Sequence, residues 1–139
     1  MKHLARIRYF CFAAALALLA PPASACEICV EDHVAATYDF AVIAKAQAAG
    51  HDLMFTAVRG GKAGAPGSQA IIRRAIAAVS GVDRDSIRLS VGPPAASFAW
   101  DPKRHPPRAV LRTINNKLAK NGLALVALRT EKSPQRSPS

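Results

Sequence analysis

Cys26, Cys29 and His33 are the residues whose types and spacing could do chemistry. Steps of three and four residues put side chains on one side of a helix, so two thiolates and an imidazole can converge there. That ligand set suits Cu(I) or Zn(II). Asp32, His51 or a group from a partner would complete the coordination. The same two cysteines can instead close a disulfide in an oxidising compartment, and the sequence leaves both readings open. Thiol redox chemistry fits less well. A thioredoxin-type Cys-x-x-Cys opens a helix that follows a strand, where the helix dipole lowers the thiol pKa, and no strand precedes Cys26.

No other constellation carries chemistry. With nine acidic residues and no Ser, His and acid set or paired carboxylates, acid/base catalysis has little to draw on, and the chain reads as a non-enzyme. Gly60 to Gly67 leads from a strand into a helix but lacks a closing Gly-Lys-Ser/Thr. Pro66 also removes a backbone donor, and both features argue against nucleotide binding. His105, between Arg104 and Pro106, reads as solvated, and Trp100 as core.

The N-terminus bears on the fate of these cysteines. Met1 to Arg8 is basic, Tyr9 to Ala20 is apolar, and Pro21 to Ala25 ends in Ala23-Ser24-Ala25, which fits the A-x-A pattern of a cleavable secretory signal. The apolar run is too short to span a bilayer, which takes about 20 residues. Residues 1–25 therefore read as a signal peptide and the product as periplasmic or secreted, with no transmembrane segment. Cleavage removes Cys11 and leaves Cys26 first, where a bacterial lipoprotein carries its lipid, although such a cysteine usually follows a tripeptide opening with Leu rather than Ala23. Net charge is +10, of which sixteen Lys and Arg against nine acidic residues remain after Ala25. Export and the lack of interleaved aromatic residues argue against a nucleic-acid partner. The expected partner is a metal transporter or another envelope protein, and weak attraction to anionic lipid or an acidic partner is the other use of the charge.

Residues 26–50 must position the ligands. From Ile28 to Ala49 the chain has no Gly or Pro, and apolar residues recur at helical spacing, which predicts one helix stopped by Gly50. Cys26, Cys29, His33, Ala36, Phe40 and Ile43 share a side of it. Beyond it come a strand over Leu53 to Arg59, a helix from about Gln69 to Ser80 with Ser68 as N-cap, strands over Ile87 to Val91 and Ala96 to Trp100, a helix through Val110 and Leu118, and a strand over Leu123 to Arg129. This order predicts an α+β fold of the ferredoxin-like type, a split βαβ unit (βαββαβ) over residues 51–130 with two helices on one face of a four-stranded antiparallel sheet, preceded by an additional N-terminal helix. Phe55, Ile72, Ile76, Leu89, Phe98, Ile114, Leu118 and Val126 are the expected core. Residues 131–139, polar and rich in Ser and Pro, are the expected disordered tail.

Residues 53 to 129 resemble the heavy-metal-associated domain family. The likeness rests on Phe55-Thr56-Ala57-Val58, Val79-Ser80-Gly81-Val82, Ile87 to Val91, Ser97-Phe98-Ala99-Trp100-Asp101-Pro102, Ile114-Asn115-Asn116-Lys117-Leu118 and Gly122-Leu123. The resemblance implies a ferredoxin-like fold and handling of copper or another heavy metal. It also implies a Cys-x-x-Cys in the loop after the first strand, whose positions fall near Ala65 and Ser68, yet Gly60 to Ser68 holds no Cys, His or Met. Metal binding is therefore expected at Cys26, Cys29 and His33, and the alternative is a protein-interaction module in which Cys26 and Cys29 form a structural clip.

Overall fold

Strand β1 (Asp52–Arg59) buries six consecutive residues, Leu53 to Val58. A strand buried on one face alternates, so an unbroken run means that both faces are covered. The computed structural model describes residues 30–134 and shows what covers them. Two helices precede β1, α1 (Val30–Thr37) and α2 (Phe40–Ala48). Helix α3 (Ser68–Ala77), strands β2 (Val82–Ser90) and β3 (Ala95–Trp100), helix α4 (Pro107–Leu118) with a 3₁₀ turn over Ala119–Asn121, and strand β4 (Ala124–Glu131) follow. The fold is α+β, built on one antiparallel four-stranded sheet in the order β2-β3-β1-β4. Since β3 runs antiparallel to both β1 and β2, those two are parallel with β3 between them. By the same reasoning β3 and β4 are parallel with β1 between them.

The two faces carry separate cores. On one, α3 and α4 present Ile72, Ile76, Ile114 and Leu118 to Met54, Val58, Phe98, Trp100 and Leu125. On the other, Val34, Ile43 and Ala46 of α1 and α2 pack on Leu53, Phe55 and Ala99. The second helical layer adds to the sequence expectation, which places two helices on one face only.

Several local expectations are corrected. The single helix over Ile28 to Ala49 is two helices, broken at Tyr38 and Asp39. Asp39 is extended at φ −139° and ψ 104°, and its carboxylate accepts the Ala41 and Val42 N–H groups as the N-cap of α2. Ser68 is the first residue of α3 and not its cap. Gly67 takes the cap position at φ 85°, and the Ser68 hydroxyl hydrogen-bonds the carbonyls of Ala63 and Ala65. Val126 is 44% exposed while Leu125 is 1% exposed, because successive residues of β4 point to opposite faces and Leu125 is the one that packs into the core with α3 and α4. Leu89 is only partly buried against the core. Finally, β4 continues through Thr130 and Glu131, paired with Met54 and Leu53, and the Ser133 N–H donates to Asp52 at 3.0 Å. Backbone pairing holds residues whose composition alone reads as tail.

Candidate metal centre

Helix α1 lies across the second face of the sheet and is fixed there by backbone-directed bonds. The Ser97 hydroxyl of β3 donates to the Thr37 carbonyl at 3.1 Å, and the Thr37 hydroxyl donates back to the His33 carbonyl at 3.4 Å. Tyr38, just after the helix, stacks on Phe55 with ring centroids 6.5 Å apart and planes 12° from parallel. Arg88 of β2 donates through Nε to Asp39 at 2.8 Å, tying the joint between α1 and α2 to the sheet edge. That hydrogen bond, then the backbone N–H of Val42, holds the Asp39 carboxyl below its ordinary pKa.

These anchors turn His33, Val34 and Thr37 inward. His33 is 5% exposed, and its Nδ1 is buried without a hydrogen-bond partner. An unpaired buried polar atom costs about 1–3 kcal/mol, so the imidazole is held where it has unused donor or acceptor capacity. Glu31 and Asp32, exposed in the first turn, add negative charge at the end of α1 where the chain arrives from Cys29. Such charge favours a cation nearby.

Cys26 and Cys29 lie outside the described residues, as do residues 1–25 and 135–139. Of the three sequence-derived ligands, then, the structure positions His33. The shared helical side breaks down beyond it: Ala36 is already exposed within α1, and the joint at Asp39 then resets the helical phase, leaving Phe40 exposed and Ile43 buried. Asp32 is exposed, and His51 lies in a separate groove, so neither joins His33 in a three-ligand group among the described residues.

The loop from Gly60 to Ser68 offers no soft ligand, and the structure uses it otherwise. Gly60 has φ +123°, and a Cβ there would overlap the Gly122 carbonyl oxygen. The loops after β1 and before β4 thus meet through bare backbone. At the opposite end of the sheet lies a groove of about 970 Å³ where α2, β1, β3 and β4 end, lined in part by His51, Asp52, Asp101, Lys103 and Lys132. Here too a histidine Nδ1, that of His51, is buried and unpartnered. No sequence pattern points to this groove, since its residues come from separate segments joined only by the sheet register. Trp100 is core as expected, with its indole N–H donating to the His105 carbonyl at 3.1 Å.

Compared with known proteins, the chain matches no family model, no curated protein and no solved structure. No helix among the described residues is long and apolar enough to cross a membrane.

Proposed function

We propose that the chain is an exported, non-enzymatic metal-binding protein with a ferredoxin-like body, in which Cys26, Cys29 and His33 hold Cu(I) or Zn(II). The observation that carries the reading is the His33 imidazole, fixed by α1 against the sheet with Nδ1 unpartnered, four residues after Cys29. Thiolates and imidazole are the ligands that both ions take, and each binds as its deprotonated form. The strand order supports the ferredoxin-like assignment, since two interleaved βαβ units place the strands of each half either side of a strand from the other. It also supports the likeness to heavy-metal-associated domains, with the ligands moved from the loop after β1 to α1 and the segment before it. The protein would hand its ion to, or receive it from, a metal transporter or another envelope protein.

Anaerobic titration of the reduced protein with Cu(I) or Zn(II), against a high-affinity competitor, tests this. About one equivalent is expected for a single cluster, lost in Cys29→Ser and retained when Ala65 or Ser68 is changed. Wild type binding no tighter than Cys29→Ser ends the metal reading.

The second reading, an interaction module with a Cys26–Cys29 disulfide, draws on a different observation. The sheet face it would use is largely covered by α1 and α2, but an apolar groove remains beside β4, where Val30, Val34 and Tyr38 face Arg129. A disulfide that persists in the exported protein, with no metal uptake after reduction, favours it.

A further inference from the structure

We propose that the outer face of α3 and α4 is a docking surface for a bilayer of anionic phospholipid. Residues 60–80 and 107–121 contain no Asp or Glu, so the layer built from them carries cations alone. Arg73 and Arg74 stand on α3, Arg108, Arg112 and Lys117 on α4, and Lys120 on the 3₁₀ turn, all exposed. Lys62, in the loop that leads into α3, makes seven. The remaining described residues hold eight Lys and Arg against eight Asp and Glu. The whole net charge of residues 30–134 therefore sits on one layer, and the rest of the body is balanced.

Ion pairing follows the same division. The four salt bridges among the described residues, Lys45–Asp85, Arg88–Asp39, Arg104–Asp101 and Arg129–Glu131, all lie outside the layer. None of its seven cations has a carboxylate partner among the described residues. Seven unpaired like charges repel one another, and a polyanion brought against them relieves that repulsion.

The shape of the face selects the polyanion. Both grooves described above lie elsewhere, at the strand ends and beside α1. Cations spread over two exposed helices suit an extended plane of charge better than a small anion. Bases would need aromatic platforms or side chains reaching from a groove, and the exposed large apolar residues Val30, Tyr38, Phe40, Val91 and Val126 all lie off α3 and α4. For the same reason nothing on the face inserts into the bilayer, and attachment is electrostatic and reversible. The opposite helical layer, with His33 and the chain leading back to Cys29, then faces away from the lipid. The proposal rests on export only in that export brings the chain to an envelope membrane, and it is independent of metal binding.

Sedimentation with sucrose-loaded vesicles tests it, using the full chain throughout so that any contribution of residues 1–25 is common to every sample. Wild type should bind phosphatidylglycerol vesicles and release them as salt rises from about 0.1 M to about 1 M, where the Debye length falls from about 10 Å to about 3 Å. Each cation near the surface contributes about fivefold, so Arg73→Glu, Arg74→Glu, Arg108→Glu and Arg112→Glu together should weaken partitioning by more than about a hundredfold. The same change in net charge made at Lys45, Arg84, Lys103 and Lys132 should cost far less. Equal losses in the two sets would show that net charge acts without the face, and no loss in the first set would also overturn the proposal. So would tighter binding to duplex DNA than to the vesicles at matched salt. If either set fails to fold, Lys117→Gln with Lys120→Gln keeps the question open to measurement, with about a twenty-fivefold loss expected and no loss refuting it.

Discussion

Replacing His33 by Leu separates what the imidazole costs from what it does. In the metal-free protein Nδ1 is buried without a partner, at an expected cost of about 1–3 kcal/mol. Leu fills similar volume at the interface of α1 with the sheet and has no polar atom to desolvate. His33→Leu should therefore raise the stability of the reduced, metal-free protein by about 1–2 kcal/mol. With a slope of about 1–3 kcal/mol per molar urea, that moves the midpoint upward by roughly 0.3–2 M. Saturating Cu(I) or Zn(II) should invert the order. A ligand at about 100 times its Kd stabilises by about 2.7 kcal/mol, and a variant that has lost one of three ligands gains much less at the same concentration. The assay is urea unfolding followed by circular dichroism, with and without metal, on both proteins. If His33→Leu is less stable without metal, the imidazole is better accommodated than its geometry implies. If both proteins gain equally from metal, His33 is not a ligand.

Ile76→Ala and Leu118→Ala, each at a fully buried side chain between the helices and the sheet, should each cost about 2–5 kcal/mol in chemical denaturation, whereas Val126→Ser should cost well under about 1 kcal/mol. Gly60→Ala should destabilise by more than about 2 kcal/mol, measured as a fall in Tm, because a side chain is strained at φ +123° and meets the Gly122 carbonyl. The Asp39 pKa is lowered on folding, so the stabilisation linked to it is present above the unfolded carboxylate pKa and is lost as pH falls through the folded one. Asp39→Asn should flatten that acid limb of the stability profile, and an unchanged limb would show that Arg88 does not bind the charged form. Intact mass of the exported protein should begin at Cys26, and a mass that includes residues 1–25 counts against a cleaved leader.

The elements of the sheet and its two long helices are legible because their signals are local. Ile72, Ile76, Ile114 and Leu118 repeat at helical spacing, and Gly81 and Gly122 mark the ends of the segments that follow those helices. What escapes is decided by partners distant in sequence. The start of β2 reads Asp83-Arg84-Asp85-Ser86, with no strand pattern, yet it is held because the Ser86 hydroxyl accepts the Ala99 N–H at 2.8 Å in place of a ladder bond. The break at Asp39 competes with a strong helical pattern on both sides, and Arg88, 49 residues further on, favours it. At the candidate centre the sequence names three ligands by type and spacing. That α1 turns His33 inward depends on Ser97 and Phe55, which no spacing rule connects to it.

The irregular register of the outer strands bears on how the protein behaves when crowded. Strands β2 and β4 are the two edges of the sheet, and an edge with a continuous row of free backbone groups would recruit the same edge of another molecule. Neither edge is continuous. On β4 an extra residue, Leu128, separates the pairs Thr56–Ala127 and Phe55–Arg129, and on β2 the register jumps between Asp83 and Arg88. Each interruption locally increases the strand twist and breaks the repeat that fibril growth needs. Edges that cannot template one another keep crowded copies of the chain from assembling into a shared sheet.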